Sequence, residues 1–258
     1  MENILIRLIG YAALIIHGDS SVFDRWMWLK KHIQSGHLRT LDAGCGSGVF
    51  TMYAAKKGNE AVGVSFDENN TKKAIERAKI LNVKNVKFIQ GDLRKLDEMS
   101  GSLGKFDQVI CFETIEHIIN DKKVIKDISA LLNKGGRLLL TAPYLYYGHM
   151  YGENEYDESK AGVIGVEDGG HVRRGYTHKQ MADLLKSFGC EVQTAEYITG
   201  YLSQHLISFQ RMLATNINSK LAWIIVLPLR IFPPLLDPVI GKITKYPYLS
   251  IGVVAVKK

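Results

Sequence analysis

The densest chemical signal in the chain is the octapeptide Leu41-Asp42-Ala43-Gly44-Cys45-Gly46-Ser47-Gly48. Glycines at alternating positions let backbone amides approach a ligand without interference from a Cβ. Asp42 supplies an acceptor for ligand amines or loop amides, and Cys45 contributes a small side chain to the same loop. Two later stretches carry bases. The segment Cys111–His117 contains Phe112, Glu113, Glu116 and His117, and Gly169–Thr177 presents His171 and Arg173 behind paired glycines. A histidine titrates near neutral pH, so it can take a proton from an attacking hydroxyl or amine. Arg173 is a contact for an anion or carboxylate. Between these stretches lie Tyr144, Tyr146, Tyr147, His149 and Tyr151. The tyrosines suit an aromatic pocket or a cation cage, with His149 as a third candidate base.

These residues fall at the ends of predicted strands. The chain alternates: strand 39–42, helix 50–57, strand 60–65, helix 71–81, strand 86–90, strand 106–112, a helix opening at Asp121, strand 137–141. Ala74, Ile75, Ala78 and Leu81 share one helical face, as do Val124, Ile125, Ile128 and Leu131. Asn133–Gly136 stops the second of these helices. Thr177–Gln180 has the pattern of a capping box and opens another helix. Strands follow at 191–199 and 248–256. Such alternation predicts a Rossmann-like, doubly wound α/β sheet, mainly parallel, with its ligand beyond the carboxyl ends of the strands.

The pattern D-x-G-x-G-x-G at 42–48 resembles the first motif of the class I S-adenosylmethionine-dependent methyltransferases. That resemblance covers roughly residues 39–200 and the final strand. It implies an antiparallel last strand and S-adenosyl-L-methionine held by Asp42, Gly44, Cys45, Gly46 and Gly48. Gly91-Asp92-Leu93 matches the acidic segment that lies beside the adenine amine in this family. Ser65 stands where the family carries a ribose-binding acid, a departure that leaves Ser65 or Asp67 for the ribose and Phe66 for the adenine face. The E-x-x-E-H run at 113–117 resembles the corresponding segment of quinone-biosynthesis and other small-molecule methyltransferases. There Phe112 and Glu113 flank the methionine end and His117 faces the acceptor. Gly169–Thr177 resembles the stretch before the helix that follows strand five, which implies His171 as a substrate-proximal base. Arg173, Tyr176, Tyr144, Tyr146 and Tyr147 are the expected acceptor contacts. No resident metal is expected, although Glu113, Glu116 and His117 carry the donor types of a cluster.

The resemblance leaves competitors. A nicotinamide oxidoreductase would share the spacing from Asp42 to an acid about 20 residues on, but its glycine pattern is G-x-G-x-x-G. A catalytically silent cofactor-binding or membrane-scaffold protein is a second alternative. A nucleic-acid acceptor is disfavoured, because Cys111–Thr114 is not an N/D-P-P-Y/F motif and no basic run is interleaved with aromatics.

The 258 residues carry a net charge of +7 with hydrophobic content of 46%, a folded protein with an anionic partner. Three widely spaced cysteines, Cys45, Cys111 and Cys190, make no disulfide framework and fit a reducing, cytoplasmic setting. The apolar run Ile4–Ile16 predicts a helix about 20 Å long, short of the roughly 30 Å hydrocarbon core. It lacks a basic leader region and reads as a buried or interfacial helix, not as a signal peptide. We therefore divide the chain into N-terminal helices (1–36), a catalytic domain (37–200 and 246–258) and an insertion (201–245). From Tyr201 onward Arg211, Lys220, Arg230, Lys242, Lys245, Lys257 and Lys258 face a single acid, Asp237. The insertion is basic, apolar and broken by prolines. It is expected either to lie on an anionic membrane surface, on its inner face, or to pack as a cap or a dimer interface. The acceptor that follows from the membrane reading is a hydrophobic or lipid-linked small molecule.

Overall fold

The computed structural model describes residues 2–148 and 170–258. Seven strands form one sheet: β1 (Arg39–Ala43), β2 (Glu60–Ser65), β3 (Val86–Gln90), β4 (Phe106–Phe112), β5 (Leu132–Pro143), β6 (Cys190–Ile198) and β7 (Ser250–Lys257). Their order is β3-β2-β1-β4-β5-β7-β6. β1 to β5 run parallel, and β7 runs antiparallel to both β5 and β6. The expected antiparallel last strand is therefore present. The sheet order reverses between β1 and β4, and the chemically loaded segments gather there, at the carboxyl ends of the strands.

Both faces of the sheet are covered, so the central strands are apolar on both sides. Side chains alternate along β4. Val109 and Cys111 pack with Val124, Ile125 and Ile128 of α7 (Asp121–Leu131). Ile110 and Phe112 pack on the opposite face with Met52 and Ala54 of α4 (Val49–Lys56) and with Trp28 and Leu29 from the N-terminal helices. Between these elements, α5 (Glu68–Ile80) and α6 (Leu96–Leu103) complete the alternation, and α8 (His178–Lys186) precedes β6. Thr177 caps α8 with the expected capping box.

Several boundaries depart from the sequence reading for local reasons. Ile4–Ile16 is not one helix but two, α1 (Glu2–Ile9) and α2 (Ala12–His17), because Gly10 takes φ +62°. α5 begins three residues early, since Asp67 caps it by accepting from Asn70 N at 2.5 Å. α7 is capped by Asn120 instead of Asp121. Residues 133–136 lie within β5: Leu132 already pairs with Phe106, and the ladder resumes at Arg137 opposite Gln108 after a bulge.

Two helical additions complete the fold. α3 (Ser20–His32) lies against the sheet. The insertion forms α9 (Tyr201–Asn216), α10 (Ser219–Val226), a 3-10 turn (Leu227–Ile231) and α11 (Phe232–Thr244). Its single acid, Asp237, is buried and accepts from Leu202 N at 2.6 Å and Ser203 N at 3.1 Å, so α11 caps α9. Buried Arg230 donates to the Ile16 carbonyl at 2.6 Å and to Gln210 Oε1 at 2.7 Å, while Trp223 Nε1 donates to the Ile16 carbonyl at 3.0 Å. The insertion is thus fastened to α2 through charge-assisted bonds to backbone.

Candidate active site

A cleft of about 580 Å³ opens at the switch point, lined by Gly44 and Gly46, by Ser65–Asp67 and Asn70, by Asp92–Arg94, and by Glu113, Thr114, His117 and Ile118. Four βα connections therefore converge on one cavity. Gly44 has φ +90°, and a Cβ there would fall on the Thr114 side chain. At Gly46 a Cβ would meet no protein atom within 4 Å. The space beside Gly46 is free of protein, as expected of a loop over which a ligand lies.

Behind this loop, Asp42 is buried and accepts from Thr51 Oγ1 at 2.6 Å. It does not line the cleft, so its direct partner is α4 and not a ligand amine. Burial lifts its carboxyl from the ordinary 3.8 to about 7, with the Thr51 bonds opposing. The native state thus holds a proton here over a pH range in which the unfolded chain does not. This stability is fully present below pH 3.8 and lost as pH rises toward 7, at up to about 1.4 kcal/mol per pH unit. Asp42→Asn is expected to flatten that part of the ligand-free protein's stability–pH curve in denaturant titrations. An unchanged slope would show that the carboxyl titrates normally. Cys45 is buried, donates weakly to the Gly46 carbonyl and has its thiol pushed up by burial, then by Asp42. It is a packed thiol, not a thiolate.

One end of the cleft is polar and aromatic. Asp92 accepts from Arg94 N and Arg94 Nε, both at 2.9 Å, and its carboxyl is held below the ordinary range by those Arg94 bonds. The Arg94 guanidinium lies 5.4 Å from the centre of the exposed Phe66 ring. Ser65, Asp67 and Leu93 share this wall. Arg94, Asn70 and Ile118 line it without having been singled out from sequence.

The other end is built around Glu113, which takes φ +44° as the chain leaves β4. Its Oε2 accepts from Ser250 Oγ at 3.3 Å and lies 3.4 Å from Arg25 Nη1 of α3. Glu113 Oε1 and Arg25 Nε are both buried without a partner. An unpaired acceptor beside an unpaired donor fits the ammonium and carboxylate of an amino-acid end group. Arg25 was missed from sequence because no spacing rule links α3 to β4; only packing brings them together.

Next to it, Glu116 is fully buried and neither carboxylate oxygen is hydrogen-bonded, although Oε1 lies 3.9 Å from His117 Nε2. Burial, then Glu113, lifts its carboxyl well above the ordinary range. His117 Nδ1 bonds the Gly170 carbonyl at 3.0 Å, which assigns the proton to Nδ1 and leaves Nε2 as the basic nitrogen. The His171 ring stands edge-on to His117, with centroids 4.7 Å apart. The protein packed around His171, then His117, holds it below the ordinary 6.5. Val172 N donates to the Glu116 carbonyl at 2.9 Å, tying the second loop to the first. The two predicted histidines are thus brought together at the cleft, and with Glu116 they place donor atoms within 4.8 Å of one another. That donor set differs from the sequence expectation of Glu113, Glu116 and His117.

Other predicted residues go elsewhere. Phe112 packs in the core against Phe50 and Trp28, at 4.9 and 5.7 Å between ring centres. Gly48 lies behind the loop against Phe88 and Ala74. Arg173 is committed to the fold: Nη1 pairs with Asp121 at 2.6 Å, and Nη2 donates to the Ile118 and Ile119 carbonyls. Tyr176 is buried with its hydroxyl on Asp121 Oδ2 at 2.7 Å. Both position the loop; neither is presented to a ligand. Tyr144 packs edge-on against Tyr146 and Tyr197. Tyr147 lies under the Arg174 guanidinium at 4.5 Å. His149, Met150 and Tyr151 lie outside the described residues.

Comparison with known proteins agrees with this geometry. Residues 34–187 match the family model described as a methyltransferase domain. The chain belongs to the S-adenosylmethionine-dependent methyltransferases. Among its relatives are the ubiquinone biosynthesis O-methyltransferases of Dechloromonas aromatica (30% identical over 117 residues, 44% of this chain and 48% of the relative) and Acinetobacter baylyi (28% over 120 residues, 45% and 49%). This methyltransferase therefore matches about half the length of those curated relatives. The fold is also that of phosphoethanolamine N-methyltransferase 2 of Haemonchus contortus, solved in complex with S-adenosyl-L-methionine. That likeness has a TM-score of 0.60 and 17% identity, over 100% of this chain and 60% of the other. The cofactor of this methyltransferase family is S-adenosyl-L-methionine, and the cleft fits it. Gly46 leaves room for close approach to the loop backbone, Glu113, backed by Arg25, matches its amino-acid end, and the wall of Phe66, Asp92 and Leu93 matches its nucleoside end.

Proposed function

We propose that the chain methylates an oxygen or nitrogen of a hydrophobic or lipid-linked small molecule taken from the inner face of an anionic membrane. The sulfonium cofactor, when bound, supplies a methyl group on a good leaving group. The chain's own residues then have two tasks. Glu113, Thr114 and Ile118 shape the space beside the methyl donor, and His117 Nε2 or His171 receives the proton of a hydroxyl or ammonium acceptor.

The observation that carries the membrane part is the distribution of exposed apolar residues. In α1 these are Ile4, Leu8 and Ile9; in the insertion Ile217, Ile224, Ile231, Leu235, Val239 and Ile243 are all more than half exposed. Leu8 and Ile243 are 73% and 76% exposed. α2 bridges the two groups through Ile16. Arg7, Lys220, Lys242 and Lys245 are interspersed among them. Among the described residues no single helix is long and apolar enough to cross a membrane, and Ser219–Ile231 meets Leu235–Thr244 at 82°. Such a pair suits a surface-lying element.

Co-sedimentation with phosphatidylglycerol vesicles at low salt is expected to capture the protein, and pure phosphatidylcholine vesicles to capture less. Combining Lys220→Gln, Lys242→Gln and Lys245→Gln should lower vesicle affinity about a hundredfold, at about 1 kcal/mol per basic residue lost. No capture by anionic vesicles would overturn the membrane reading. Labelled methyl transfer into a lipid extract, with the product identified by mass, tests the acceptor class; label found only in water-soluble products would contradict it.

A further inference from the structure

A second cavity, outside the cofactor cleft, lies within the insertion. It is a groove of about 290 Å³ between α9 and the turn leading into α11, lined by Leu202, His205, Leu206, Phe209, Leu229, Phe232 and Pro233. His205 is the one polar residue in that lining. We infer that this groove holds the hydrocarbon tail of the methyl acceptor, while the acceptor's polar head extends past Tyr201 and Tyr246 toward Glu113. The inference rests on the hydrophobic-acceptor reading above and gives it a location.

Three observations favour a tail belonging to the acceptor. First, the groove has fixed walls. Asp237 caps α9 from α11, and Arg230 reaches from the turn to Gln210 on α9. A pre-formed apolar slot binds a chain without first having to order itself. Second, the groove starts near the carboxyl edge of the sheet, the edge on which the cofactor cleft opens: α9 begins directly after β6, and Ser250, beside the end of β6, pairs with Pro143 at the carboxyl end of β5. The Tyr201 ring lies 4.0 Å from His205 and 5.2 Å from Tyr246, centre to centre. Tyr201 follows β6, whose last residue Ile198 pairs with Ser250. Ser250 Oγ donates to Glu113, which lines the cofactor cleft. Third, beside the groove's Phe232 stand exposed Ile231 and Leu235, both assigned above to the bilayer side. A chain would therefore pass from lipid to groove without crossing water. A bilayer phospholipid would not need the inner path, and a second copy of this chain would not need a slot.

The test uses the full chain saturated with S-adenosylhomocysteine and a series of 4-alkylphenols from butyl to nonyl, each titrated below its aggregation limit. The phenol head suits the tyrosine-lined path. Wild-type affinity is expected to rise about fourfold per added methylene, the equivalent of about 0.8 kcal/mol. Leu206→Trp, which fills the groove from α9, should flatten that rise to less than twofold. Leu229→Trp, from the opposite wall, should do the same, and unchanged S-adenosylhomocysteine binding certifies that each variant is folded. A rise as steep in both folded variants as in the wild type, or no chain-length dependence in the wild type, overturns the inference. So does equal binding of alkyl sulfates of the same length, which points to bilayer lipid, or a dimer in sedimentation that either variant dissociates. Flattening with vesicle binding lost leaves the groove standing and removes the membrane reading; vesicle binding with no flattening does the reverse.

Discussion

Replacing His171 with alanine is expected to lower kcat for a hydroxyl acceptor by about 10²–10⁴-fold while leaving S-adenosylmethionine affinity unchanged. The expectation rests on position and on charge. His171 stands edge-on to His117, which lines the cleft, and is not itself among the cleft's lining residues. Its imidazole is held below 6.5 by the protein around it, then by His117, so it is neutral at pH 7 and able to accept a proton. The rate should fall on the acid side, with an apparent pKa below 6.5, and be flat above it. His117→Gln should lower kcat as well and shift that apparent pKa upward, because it removes the neighbour that disfavours the charged form of His171. A labelled-methyl assay over a pH series reads both effects. Unaltered transfer in a variant with both His117 and His171 changed to alanine would remove the histidines from the chemistry.

The second large effect is expected at Gly44. Its φ of +90° is costly for a side-chain-bearing residue, and a Cβ would collide with Thr114. Backbone strain of about 1–3 kcal/mol and overpacking of about 1–3 kcal/mol add in Gly44→Ala. We expect a lower melting temperature together with a loss of cofactor affinity of about 30-fold or more. Gly46→Ala is the informative contrast. Its Cβ meets no protein atom, so affinity should fall with a smaller loss of stability. If both variants bound cofactor as the wild type does, the loop would not be the binding element.

The sheet was legible because its physics is local. Short apolar runs between polar or glycine-containing connections gave β2, β3 and β4 with their observed limits, and the capping box gave α8. The convergence of Ser65, Asp92 and Glu113 was also readable, since parallel strands put successive carboxyl ends on one edge. What failed depended on direction or distance. Phe112 sits in a promising segment, yet strand alternation turns it to the same face as Ile110. Arg173 and Tyr176 carry a functional pattern, but both are taken by Asp121, whose identity as partner appears only once α7 is in place. Arg25, from a helix before the first strand, has no signature short of the packed structure.

Titration calorimetry of the full chain with S-adenosylmethionine, S-adenosylhomocysteine and NADH tests the central claim most directly. The account predicts one site for the two sulfur nucleotides, weakened by Gly44→Ala and Arg25→Ala, and weaker or no binding of NADH. Tighter binding of NADH, or no heat from either sulfur nucleotide, would contradict it.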